Sequence, residues 1–261
     1  MLACEFFTSE RVAQMRREII DTGFFADPLL GAGIDSPVFG VNLACAYPFP
    51  APTAQSYLRL AEQLARLDEN AYVYPVSQTH ITIATFISFF QNQSPATDRL
   101  ASLNGLTRQI TAAMEKLFAR GQPKPITTFN LSIEQPLISR KAAILPMSNP
   151  TEEIQHIRQR VASALAEDEP LRNCLEPLGL NLPPLIHSSI MRFKRVPENS
   201  ATFLCEFDKI ANITNLGSME INELLITIET KPYMRGGTII DRFPLAARSI
   251  GQPKESARPG P

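Results

Sequence analysis

The sequence predicts an α+β fold. Strand-like and helix-like periodicities are mixed along its 261 residues, and each half carries a strand, a helix and a histidine-bearing strand. The two histidine-bearing stretches are "VSQTHITIATFISFF" (76–90) and "PPLIHSSIMRF" (183–193). Both are rich in the β-branched and aromatic residues that suit a pleated, half-buried surface. No dipeptide-level repeat accompanies the pattern, so the duplication is one of structure and not of sequence.

The elements follow in order. Residues 1–37 hold one helix, "SERVAQMRREII", and a Gly/Asp/Pro-rich stretch, which together read as an N-terminal helical extension. "VFGVNLACAYP" (38–48) reads as a strand. Thr53 is placed to cap a helix whose Tyr57, Leu60, Leu64 and Leu67 share a face. "AYVYPV" and the His80 stretch are strands, and a long helix covers about 97–119, stopped by Gly121 and Pro123. "ITTFNLSIEQPL" and "KAAILPM" are strands. Asn149–Pro150–Thr151–Glu152 opens a helix striped by Ile154, Ile157, Val161 and Leu165. After the His187 strand comes a helix with Phe203, Phe207 and Ile210 on one side, then the strands "SMEINELLITIET" and "GGTIIDRFPL". The body of the domain spans 38–246, and the polar 247–261 is expected to be a disordered tail.

Composition excludes several classes of function. Hydrophobic residues make up 44% and charged residues 20%, with 26 acidic against 25 basic side chains. Such a balance provides no whole-molecule field for a long nucleic acid, and leaves a small or terminal anionic ligand. Cys4, Cys45, Cys174 and Cys205 are widely spaced, which fits reduced, buried thiols and no disulfide framework. Three histidines without ligand spacing argue against zinc. No apolar run is long enough to span a membrane, and "MLACEFF" lacks the features of a signal peptide. The expectation is a cytoplasmic monomer.

Period-two alternation places His80, Thr82 and Ala84 on one strand face, and His187 with Ser189 on another. A histidine and a hydroxyl about 6.5–7 Å apart on one face suit two groups reaching different atoms of one phosphate. Opening a phosphodiester in line needs a base on the attacking oxygen and an acid on the leaving one. Imidazole serves either role near neutral pH, while hydroxyls hold the non-bridging oxygens. Taken singly, a histidine beside a threonine in a strand is more often a satisfied structural residue; the pair of motifs is what carries the reading. His156, opposite the apolar stripe of its helix and followed at the same offset by Arg158, is read as a solvated surface residue.

"HITI" (80–83) and "HSSI" (187–190) resemble the twin His-x-Thr/Ser-x motifs of the two-histidine (2H) phosphoesterase superfamily. "FNLSI", the stretch "KAAILPMSNPTEEIQHIRQRVASAL", and "SMEINELLITIET" are similar to other segments of that family. The resemblance implies a bilobal fold, two pseudo-symmetric sheet-and-helix lobes around a central cleft. It implies His80 and His187 as the acid/base pair, Thr82 and Ser189 as substrate-binding hydroxyls, and no cofactor or metal. The implied activity is hydrolysis of a nucleotide or RNA-end phosphodiester, foremost a 2′,3′-cyclic phosphate. A non-catalytic module binding a nucleotide or phosphorylated ligand is the alternative. Ser188 stands where an apolar residue is common, and Ser189 where threonine is frequent.

Five further residues are candidates for the pocket. Tyr47 and Tyr74 are placed to stack a base at strand ends. Lys231, Tyr233 and Arg235, in "TKPYMRGG", read as a loop at the pocket mouth. Arg192 and Lys194 alternate to the face opposite His187 and are assigned to solvent or an edge.

Overall fold

All six residues of β1 (Gly40–Cys45) are buried, as an interior strand requires. In the computed structural model, which describes residues 7–31, 35–119 and 125–247, this strand pairs on both sides. One neighbour is β3 (Ile81–Ile87) and the other β9 (Glu223–Glu229), which in turn pairs with β10 (Gly237–Pro244). The second sheet has the order β2 (Ala71–Val73), β7 (His187–Phe193), β6 (Ala143–Ser148), β4 (Phe129–Ile133), β8 (Ser218–Ile221), with β5 (Leu137–Ile138) also on β6. Every pairing between these strands is antiparallel.

The two sheets repeat one plan. Reading inward from its histidine strand, the first runs β3–β1–β9–β10 and the second β7–β6–β4–β8. Helices α3 (Ala51–Ala65) and α4 (Thr97–Phe118) flank β3 in the chain. Helices α5 (Glu153–Glu167), α6 (Glu169–Leu175) and α7 (Ser200–Ile213) flank β7. The fold is thus α+β and two-lobed, and the histidine strands β3 and β7 approach each other where the lobes meet.

Several local expectations are revised. Helix α3 begins at Ala51 after Pro50, so Thr53 lies within it, buried, and caps nothing; Pro52 suits the first turn because its missing N–H has no partner to lose. "SMEINELLITIET" divides at Asn222 into strands of different sheets. The helix expected to open at Asn149 begins instead at Glu153, after Glu152 at φ 59°; Asn149 reaches across that turn, its Oδ1 accepting from the Ile154 N–H at 2.9 Å. Cys45 is buried, whereas Cys174 and Cys205 are exposed free thiols, against the expectation of burial. Cys4, Gly121, Pro123 and the tail from 248 onward lie outside the described residues. No helix among the described residues is long and apolar enough to cross a membrane.

The N-terminal segment is packed into the second lobe. Helix α1 (Ser9–Thr22) lies against α7, with Arg16 bonded to Asp208 at 2.7 Å. Beyond it the Phe24 ring sits 4.4 Å from Phe193 of β7 and 5.2 Å from Phe203 of α7. The short helix α2 (Pro28–Gly31) follows. Truncating Phe24 opens a cavity between two elements, so Phe24→Ala should lower the unfolding free energy by about 3–5 kcal/mol. Chemical denaturation measures this, and a change under about 1 kcal/mol would mean the segment is an appendage.

Candidate functional site

Strict alternation does not hold along either histidine strand. Across β1 and β3, Ala44 faces Thr82 and Leu43 faces Ala84, which leaves Ile83 as an extra residue. A bulge of this kind turns the following side chains to the opposite face. Thr85, which strict alternation would send to the face opposite Thr82, therefore lines the cleft beside it. In β7, Ile144 of β6 faces Ser189 and Ala143 faces Met191, so Ile190 is extra. The same inversion brings Arg192 to the face of His187, correcting its assignment to the opposite side. Each motif thus presents a histidine, a hydroxyl two residues on, and a further polar group five residues on.

His80, Thr82, His187 and Ser189 line one cavity of about 210 Å³. His80 immediately precedes β3, and its Nδ1 lies 2.8 Å from the Gln78 carbonyl. A carbonyl only accepts, so Nδ1 carries the proton and Nε2 is left for the cleft. His187 repeats the arrangement in weaker form: the Leu185 carbonyl, again two residues back, acts on the ring electrostatically, although Nδ1 does not reach hydrogen-bond geometry. Burial lowers the pKa of His80, partly offset by the Gln78 carbonyl. Burial brings His187 down to about 4, the Leu185 carbonyl opposing and the fields of His80, Arg158 and Arg192 adding. The protein's own groups therefore hold both imidazoles neutral at pH 7.

Both motif strands are tied to Arg158 of α5, which is 7% exposed. Its Nε donates to the Ile83 carbonyl at 3.1 Å, and Nη2 to those of Thr82 and Leu185 at 3.3 and 3.2 Å. Nη1 reaches the Pro184 carbonyl at 3.3 Å. The guanidinium therefore joins the bulge of β3 to the entry of β7, satisfying carbonyls where the ladder is disrupted. Burial lowers its pKa to about 10, so it remains a cation at neutral pH.

Arg192 is held by the N-terminal segment. Asp27, 5% exposed, accepts from Arg192 Nη1 at 3.1 Å and from the Tyr233 hydroxyl at 2.5 Å. Arg192 Nε donates to the Tyr74 hydroxyl at 3.0 Å, and the guanidinium lies 4.9 Å from the Tyr233 ring centroid. Tyr74 and Tyr233 line the cleft, and both are engaged in orienting Arg192.

The remaining candidates lie elsewhere. Tyr47 packs edge-on behind His80, ring centroids 6.2 Å apart, and donates to the Gly237 carbonyl at 3.0 Å. Lys231 and Arg235 both pair with Asp35, at 3.0 and 3.2 Å, and neither lines the cavity. A larger cavity of about 580 Å³ between α4 and α5 includes His156 but neither motif. Sequence reasoning missed Thr85 and Arg192, because nothing in the residue order announces a bulge, and Asp27, which is remote in the chain. It also missed Asn42 and Glu229. The alternation of Thr227 and Glu229 with Ile226 and Ile228 was a readable signal for the last. Among the described residues no cluster of three His, Cys, Asp or Glu side chains is placed to ligate a metal.

No known family profile and no curated protein sequence matches the chain. Solved structures do. TT0787 of Thermus thermophilus aligns at 13% identity and TM-score 0.49, over 80% of this chain and 98% of that one. E. coli LigT complexed with ATP aligns at 14% and 0.48, over 80% and 99%. A conserved protein of unknown function, ATU0111 from Agrobacterium tumefaciens, aligns at 13% and 0.49, over 82% and 93%. The likeness is one of fold. The site itself is read from this chain's own side chains.

Those side chains make one expectation about Arg158. Arg158→Met strands four carbonyls without a donor and should lower the unfolding free energy by about 3 kcal/mol. Arg158→Lys, whose ammonium cannot fork across both strands, should restore only part of it. Denaturant melts of the three proteins compare these values.

Proposed function

We propose that the cleft is the active site of a metal-independent 2H-type phosphodiesterase acting on a nucleotide or RNA end, foremost a 2′,3′-cyclic phosphate. The observation that carries this reading is the convergence of two histidines from different sheets on one cavity, each with a hydroxyl two residues on. The two rings are close enough for the charge of one to act on the other.

One neutral imidazole takes a proton from water as its oxygen attacks phosphorus. The other, as imidazolium, gives a proton to the ribose oxygen as the opposite P–O bond breaks. The product is a 2′- or 3′-phosphomonoester, and the next turnover begins after the proton passes back through solvent. Thr82, Ser189 and Arg192 hold the non-bridging oxygens, whose negative charge grows in the transition state. The protein alone keeps both histidines neutral, so the bound phosphodiester anion supplies the field that lets one of them hold its proton. Arg192, fixed by Asp27 and Tyr74, offers a planar donor set suited to a phosphate.

His80→Ala and His187→Ala should each reduce turnover of a 2′,3′-cyclic nucleotide by roughly 10²–10⁴-fold. Thr82→Val and Ser189→Ala should cost less, and His156→Ala should be near neutral. Because both folded-state pKa values lie below the ordinary 6.5, the kcat/KM bell for the free enzyme should sit on the acid side of that value. The kcat bell should lie higher, since bound anion raises the acid's pKa; both limbs belong to the coupled pair. EDTA should leave the profiles unchanged. Activity lost to EDTA and restored by a divalent ion would overturn the mechanism, and absence of turnover would leave a binding module.

A further inference from the structure

One carboxyl in the cleft has no part in this chemistry. Glu229, the last residue of β9, is 2% exposed, lines the cavity, and has a buried Oε2 with no hydrogen-bond partner. A buried polar group left unpaired costs free energy, so its retention calls for a partner that arrives from outside. Both of its cross-strand neighbours are glycines, Gly40 of β1 and Gly237 of β10. A Cβ at Gly40 would meet the Phe89 Cβ at 3.1 Å, and one at Gly237 would overlap the Tyr47 hydroxyl. The glycines let the chain at Phe89 close in on one side of Glu229 and the Tyr47 ring on the other.

Asn42 stands on the same sheet face, since it pairs with Thr227 two residues before Glu229. It too lines the cavity, and makes no side-chain hydrogen bond among the described residues. Near them Phe90, half exposed, stacks on Phe89 with centroids 4.1 Å apart, and Phe89 meets Tyr233 edge-on at 5.5 Å. An aromatic platform beside unpaired hydrogen-bonding groups fits a flat heterocycle. Ala44, opposite Thr82, and Gly40, opposite Glu229, are four residues apart on β1, about 13 Å. That span suits a nucleotide with its phosphate at the histidines.

We propose that the buried carboxyl of Glu229 and the amide of Asn42 read the edge of an adenine or cytosine base in the substrate. This rests on the nucleotide reading above. A neutral carboxyl presents one donor and one acceptor side by side, matching a basic ring nitrogen beside an exocyclic amino group. Its acidic O–H gains more from that nitrogen than from the carbonyl oxygen of guanine or uracil. An asparagine amide makes the corresponding pair with adenine. Burial supports the neutral form, raising the Glu229 pKa to about 8. The groups around it are the phenols of Tyr47, Tyr74 and Tyr233, the two histidines, and Arg192, which is paired with Asp27.

The test is calorimetric binding of adenosine 3′-monophosphate and guanosine 3′-monophosphate, with inorganic phosphate as reference, at about pH 6.5 and about pH 8.5, on either side of that pKa. The wild type should prefer the adenosine nucleotide by about tenfold at the lower pH. The preference should shrink at the higher pH, because an ionised carboxylate repels a ring nitrogen and accepts from guanine. Glu229→Gln keeps donor and acceptor and should keep the preference without its pH dependence. Glu229→Leu should abolish it. An adenosine-to-guanosine ratio unchanged in Glu229→Leu overturns the proposal, as does wild-type affinity no greater than for phosphate. A Glu229-dependent base preference without turnover would instead remove the phosphodiesterase reading and leave this one standing.

Discussion

The cleft depends on one buried cation. Arg158 takes a carbonyl from each of Thr82, Ile83, Pro184 and Leu185, so the two histidine strands share a single guanidinium. Those strands belong to different sheets and make no ladder with each other. Shape complementarity alone allows packed sheets to slide, whereas a planar fork of donors constrains distance and direction together. The same charge opposes protonation of His187. Arg158 thus bears both on the placement of the strands and on the protonation of His187, where burial acts first.

The electrostatic balance of the cleft follows. Arg158 has carbonyl dipoles around it in place of a carboxylate, and Arg192 has Asp27. Two neutral histidines and a neutral glutamic acid complete the lining. A whole-molecule charge of −1 conceals this local cationic excess. The field at the cleft is therefore locally positive, while the balanced charge of the chain as a whole offers no extended attraction to a polyanion.

Much of this was legible in the residues. The period-two spacing of His80 with Thr82 and of His187 with Ser189 was enough to place each pair on one face, because each bulge comes only after the hydroxyl. Beyond Ser189 the same rule sent Arg192 the wrong way, since alternation carries no information about an inserted residue. Arg158 was hidden differently: its helical offset puts it on the buried face with Ile154, Val161 and Leu165, where a charge reads as a break in the stripe; the row of carbonyls that receives it is backbone polarity, which leaves no mark on a hydropathy pattern. Asp27 was invisible because its importance arises from contacts with residues 165 and more positions away.

The exchange of strands between the lobes bears on how the chain is made. β1 emerges well before β9, one of its two ladder partners. β2, made with the first lobe, joins the edge of the second. Neither sheet closes before its late strands, β8 in one and β9 and β10 in the other, have been made, and the long-range pairings make the search slow. The two lobes therefore mature together once β9 is available, with the apolar face of β1 in need of shelter until then.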